Sequence, residues 1–153
     1  MSANLSRLAE FVPYQMSVTT NAVSDLIAGE YRARYGLKIP EWRVMAVLGD
    51  AGAKTQRELV QGTRMDKVAV NRACKVLEER GLVGRSPNAC DGRSHHLELT
   101  RAGHKMHAEI MPHALEMERR LLASLDPAER RQFAQLLARI GASAVELEKG
   151  KTK

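Results

Sequence analysis

Apolar residues recur at intervals of three and four along most of this chain, which predicts a mainly helical protein with room for only a small β element. Leu8, Val12, Met16, Thr19, Val23, Leu26 and Ile27 make the first run, interrupted by Pro13. Proline removes a donor from a helix interior but suits a first turn. The pattern therefore predicts a short piece ending near Phe11 and a main helix ending at Tyr35 and Gly36. Lys38 to Glu41, with Pro40 in the first turn, starts another helix carrying Trp42, Met45, Ala46 and Leu48 up to Gly49 and Gly52. Thr55 and Glu58 have the spacing of a capping box, and Gly62 to Met65 supplies a turn before Asp66 caps the next helix.

From Asp66 to Arg80 the apolar residues Val70, Ala73, Cys74 and Leu77 share one face, and Gly81 sits where a left-handed residue ends a helix. The other face carries Lys67, Val68, Asn71, Arg72 and Lys75. Asn is suited to adenine and Lys or Arg to guanine or phosphate in a major groove, although such a face would serve equally as a solvated surface. The short helix, turn and long helix have helix-turn-helix spacing. Two candidate strands follow, Leu82 to Arg85 and His95 to Leu99, around a polar stretch in which Asp91-Gly92 is a hairpin-turn signal. This places Arg93 near the tip of a wing. After Thr100, a helix from Ala102 to about Leu125 contains Pro112, which should kink it by leaving the Ala108 carbonyl without its usual donor. Asp126-Pro127-Ala128-Glu129 starts a last helix with Phe133, Leu136, Leu137, Ile140 and Ala144 on one side, before a tail at 149–153.

Charge sharpens this picture. The 153 residues carry a net charge of +6, and the stretch from Arg64 to Arg93 holds half of that excess, the electrostatic footprint of a polyanion binder. No apolar run approaches the roughly 18 residues of a membrane span, and no signal-peptide pattern opens the chain, so a cytoplasmic protein is expected. Two cysteines without metal-type spacing imply no disulfide framework.

Three stretches, Ile39 to Leu48 (IPEWRVMAVL), Leu77 to Arg85 (LEERGLVGR) and Asp91 to Ser94 (DGRS) with Leu97 to Gly103 (LELTRAG), resemble the MarR family of winged helix-turn-helix transcriptional regulators. The resemblance implies one domain over 1–153, with a winged-helix core at about 37–100, a wing of two or three strands, and dimerisation helices at 1–36 and 101–148. It implies a homodimer on a pseudo-palindromic double-stranded operator, acting as a repressor and released by a small molecule. DNA contacts would come from Thr55, Gln56, Lys67, Val68, Asn71, Arg72, Lys75, Asp91, Arg93 and Ser94, with Arg93 in the minor groove and Asp91 bracing it. The family's pocket would be lined here by Met16, Thr19, Thr20, Trp42, His107 and Met111, a mainly apolar set suited to an aromatic or amphipathic compound. Trp42 is otherwise a core anchor. The Pro87-Asn88-Ala89-Cys90 run departs from the family's more charged wing.

Other chemistries have weaker signals. His104 and His107 share a helix face but make only two metal ligands, and no cofactor is expected. Cys74 on the apolar face and Cys90 beside Asp91 are poorly placed for thiolate chemistry. Asp91, Ser94 and His95 supply triad letters without triad geometry, so no enzyme is expected. A dimeric protein-interaction module, or a metal- or redox-sensing regulator of the same fold, is the alternative.

Overall fold

The computed structural model describes residues 5–88 and 90–151, with Leu5, Ser6 and Asp91 in their backbone only. The elements in order are α1 (Leu5–Glu10), α2 (Val12–Tyr35), α3 (Ile39–Ala51), β1 (Lys54–Thr55), α4 (Gln56–Thr63), α5 (Lys67–Glu79), β2 (Val83–Asn88), β3 (Asp91–Leu99), α6 (Arg101–Leu121) and α7 (Pro127–Gly150). They form two compact units, Met1–Met111 and Pro112–Lys153.

In the first unit, Phe11 takes an extended conformation at the N-cap of α2, with Pro13 in the first turn. Gly36, at φ 64°, ends the helix. The carbonyls of Tyr35 and Gly36 accept hydrogen bonds from the Arg80 guanidinium at 2.9 and 3.2 Å, which satisfies groups that a helix terminus leaves open. At the start of α3, the Glu41 carboxylate accepts the Lys38 N–H at 2.9 Å and is almost fully buried. The core gathers one face of each neighbouring element: Leu37, Val44, Met45, Leu48, Leu59, Val70, Cys74, Leu77, Leu97 and Ile110 are all fully buried.

The helix-turn-helix differs from expectation at its turn. Gly62 lies inside α4, and the left-handed residue that reverses the chain is Arg64, at φ 57°. Thr63 makes this possible: its hydroxyl donates to the Leu59 carbonyl at 2.6 Å and accepts the Met65 N–H at 3.3 Å, so the side chain supplies the hydrogen bonds of the turn.

The wing has three strands, within the expected two or three, but β2 and β3 are longer than the sequence suggests. β3 lies between β1 and β2 in an antiparallel sheet of order β1-β3-β2. Lys54 and Thr55 pair with Leu97 and His96, while β2 pairs from Val83↔Leu99 to Asn88↔Asp91 with an irregularity at Pro87 and Asn88. The reversal therefore falls between Asn88 and Asp91, and Asp91-Gly92 belongs to a strand instead of forming the tip. Asn88 takes over: its Oδ1 accepts the Cys90 N–H at 3.0 Å, an Asx-type turn. Pro87 is tolerated because β2 is an edge strand and its pairing is irregular at that point.

α6 continues through Pro112 and ends at Leu121, four residues short of the expected end. In the second unit, Asp126 and Glu129 form a reciprocal capping box at 2.8 and 2.9 Å. α7 buries none of its residues in this single chain and runs to Gly150, so the helix includes 149 and 150 of the expected tail; Thr152 and Lys153 lie outside the described residues.

Candidate nucleic-acid interface

α5 is set by its ends and its core face. The Asp66 carboxylate accepts the Ala69 N–H at 2.8 Å. At the other end the Gly81 and Leu82 N–H groups donate to the carbonyls of Glu78 and Leu77, a Schellman closure that needs the left-handed φ of 70° at Gly81. Val70, Ala73, Cys74 and Leu77 are buried, which turns Lys67, Val68, Asn71, Arg72 and Lys75 outward, all five exposed. Burial pushes the Cys74 thiol up to about 11, so this cysteine packs as a hydrophobe; Cys90 is exposed.

The start of α4 and the wing form an open cleft of about 390 Å³ lined by Thr55, Gln56, Arg57, Arg85, Asn88, Arg93, Ser94 and His95. The structure thus brings the expected Thr55, Gln56, Arg93 and Ser94 together. Thr55 is also the cap of α4: its hydroxyl accepts the Glu58 N–H at 3.2 Å while the Glu58 carboxylate accepts its N–H at 2.7 Å, which holds that carboxyl below its usual range. The Asn88 amide donates to the Ser94 hydroxyl at 3.0 Å, joining the two wing strands near the turn. The bracing role expected of the Asp91 carboxylate lies outside the described side chains.

Arg80 and Arg85, within the Arg64 to Arg93 stretch, are each tied to another element. Arg80 holds the end of α2, and Arg85 pairs with Glu78 at 2.6 Å, tying β2 to α5. Arg57, Arg85, Asn88 and His95 also line the cleft, beyond the contact residues expected from the sequence. The signal for Arg57 was its place in the first turn of a capped helix; for Asn88 and His95 no local signal exists, since only strand pairing brings them to the cleft.

Of the pocket residues, Trp42 and His107 meet in a stack with ring centroids 5.8 Å apart, and Tyr31 meets Trp42 edge-on at 5.0 Å. Met16 and Met111 are half-buried, and Thr19 and Thr20 are exposed on α2. Tyr31 was missed, although it continues the Val23 and Ile27 spacing of four; it is buried, and burial raises its phenol. His107 lies so close over Gly49 that a Cβ there would stand 2.5 Å from its Nε2. Burial is the main cause of a lowered His107 imidazole, with His104 adding to it and Asp50 opposing. Among the described residues no three His, Cys, Asp or Glu side chains converge as a metal site, and no helix is long and apolar enough to cross a membrane.

This geometry has close counterparts. Residues 35–94 match the model of the MarR family. The uncharacterised HTH-type transcriptional regulator YwoH of Bacillus subtilis is 31% identical over 109 residues, covering 71% of this chain and 79% of its own. The crystal structure of a MarR/EmrR family transcriptional regulator from Acinetobacter sp. ADP1 has a TM-score of 0.83 at 26% identity, over 94% of this chain and 99% of that one. BpsR of Bordetella bronchiseptica, whose DNA binding is regulated by 6-hydroxynicotinic acid, shares the fold with a TM-score of 0.70 at 23% identity, over 83% of this chain and 98% of that one.

Proposed function

The chain belongs to the MarR family of winged helix-turn-helix transcriptional regulators, and from that premise we propose that it is a homodimeric repressor that binds a pseudo-palindromic operator and is released by a small aromatic ligand. The observation that carries the DNA-binding part is the outward face of α5, where Lys67, Asn71, Arg72 and Lys75 stand exposed over four buried residues, together with the cleft between α4 and the wing that contains Arg57 and Arg93. Helix residues read base edges while wing and first-helix cations hold phosphates, so affinity is salt-dependent and specificity resides in α5.

A second copy is supported by α7, whose Phe133, Leu136, Leu137 and Ile140 are 44 to 49% exposed on one face. Two-fold pairing of that face matches two-fold operator symmetry. Ligand release is supported by the cluster of Tyr31, Trp42 and His107 rings, an aromatic set of the kind that receives flat ligands. BpsR gives a precedent in this fold for a hydroxylated aromatic acid as effector.

The test is the binding of wild type and Asn71→Ala to a duplex selected from a random pool and to unselected duplex. Loss of a base contact should cost roughly 1 to 3 kcal/mol on the selected duplex and much less on unselected DNA. Equal losses on both would demote Asn71 to a backbone contact, and no binding by wild type would sink the reading.

A further inference from the structure

We infer that Val68 reads the methyl group of a thymine in the operator, an inference that rests on the DNA-binding reading above. The core face fixes how α5 is turned: Val70, Cys74 and Leu77 are fully buried and Ala73 nearly so. At about 100° per residue, Val68 lies roughly 160° round the helix from Val70, close to the direction opposite the middle of that face. Val68 is the second residue of α5 and 64% exposed, while Ala69 and Val76 are half-buried, so it is the one exposed apolar side chain of this helix. Its neighbours on the outward face, Lys67, Asn71, Arg72 and Lys75, are all polar.

A valine in that position does little for the helix itself, because β-branching lowers helix propensity. Its side chain cannot donate to a phosphate. The first residues of a recognition helix are those that reach base edges. In the major groove the apolar feature of a base edge is the C5-methyl of thymine. Asn71, three residues on, is matched to adenine. Side chains three apart on a helix have Cβ atoms roughly 5 to 6 Å apart, and base pairs are spaced by about 3.4 Å. The thymine therefore falls one or two steps from the adenine that Asn71 reads.

The methyl can be deleted without touching base pairing. In the selected duplex, each thymine of one half-site is replaced singly by uracil, and the binding of the full chain is measured for wild type and Val68→Ala. At one position uracil should weaken wild type about fourfold, the worth of one buried methyl-sized group. At that same position Val68→Ala should bind thymine and uracil alike. Alanine is the better helix former, so the variant keeps α5, which circular dichroism verifies. Uracil tolerated at every position by wild type, or a penalty that persists in Val68→Ala, overturns the assignment and leaves DNA binding standing. A pool that yields no preferred duplex overturns the DNA-binding reading and this inference together.

Discussion

Burial holds the His107 imidazole below its ordinary value of 6.5, which links one side chain to the pH dependence of the whole fold. Below pH 6.5 the unfolded chain binds this proton before the folded chain does. Stability is therefore fully present above that value, falls as pH is lowered through the interval down to the folded value, and then levels off. Urea unfolding between pH 5 and 8 should show wild type losing more stability on acidification than His107→Phe, which keeps a ring against Trp42 but does not titrate. Parallel profiles for the two proteins would show that the imidazole protonates without cost where it lies. The same residue illustrates what composition hides, because a histidine three after another suggests a metal pair, whereas His107 packs its ring face on an indole and its edge on the Cα of Gly49.

At the scale of elements, capping explains why helix starts were legible. Thr55, Asp66 and Asp126 each accept an N–H three residues on, and each announces itself by residue type and spacing alone. Asp66→Ala should cost about 1 kcal/mol by removing one such bond. The cost would appear as a lower urea midpoint with an unchanged slope, and DNA affinity should fall with it if fraying reaches Lys67 and Val68. An unchanged midpoint would mean that solvent satisfies the Ala69 N–H equally well. Turns were less legible, for a reason visible at Thr63 and Asn88. Each turn is closed by a polar side chain bonding back to the main chain, so the nearby Gly62 and Gly92, the stronger letters in the sequence, are not where the chain reverses.

For the molecule as a whole, α7 presents an exposed apolar stripe in which Leu137 is 48% exposed in the single chain. Leu137→Glu should therefore cost the protomer little. Buried in a dimer face, it should convert a dimer to a monomer in sedimentation and weaken operator binding by far more than tenfold, since two half-sites are no longer engaged by one particle. A variant that sediments as wild type would remove this face from the dimer contact. The order of residues specifies the helices, their N-terminal caps and the polarity of each face, because periodicity and capping act over three or four residues and are carried by the letters present. It determined that Val70, Ala73, Cys74 and Leu77 face inward and hence that Lys67 to Lys75 face out. Tertiary structure alone decided what lies across from what. Pairing of β1 with β3 brings Thr55, Gln56 and Arg57 to the wing, Arg80 and Arg85 find partners on other elements, and Tyr31 meets Trp42 and His107. Those contacts join residues on different elements, so no local pattern records them; they exist only once packing of the core has fixed each element's rotation and register.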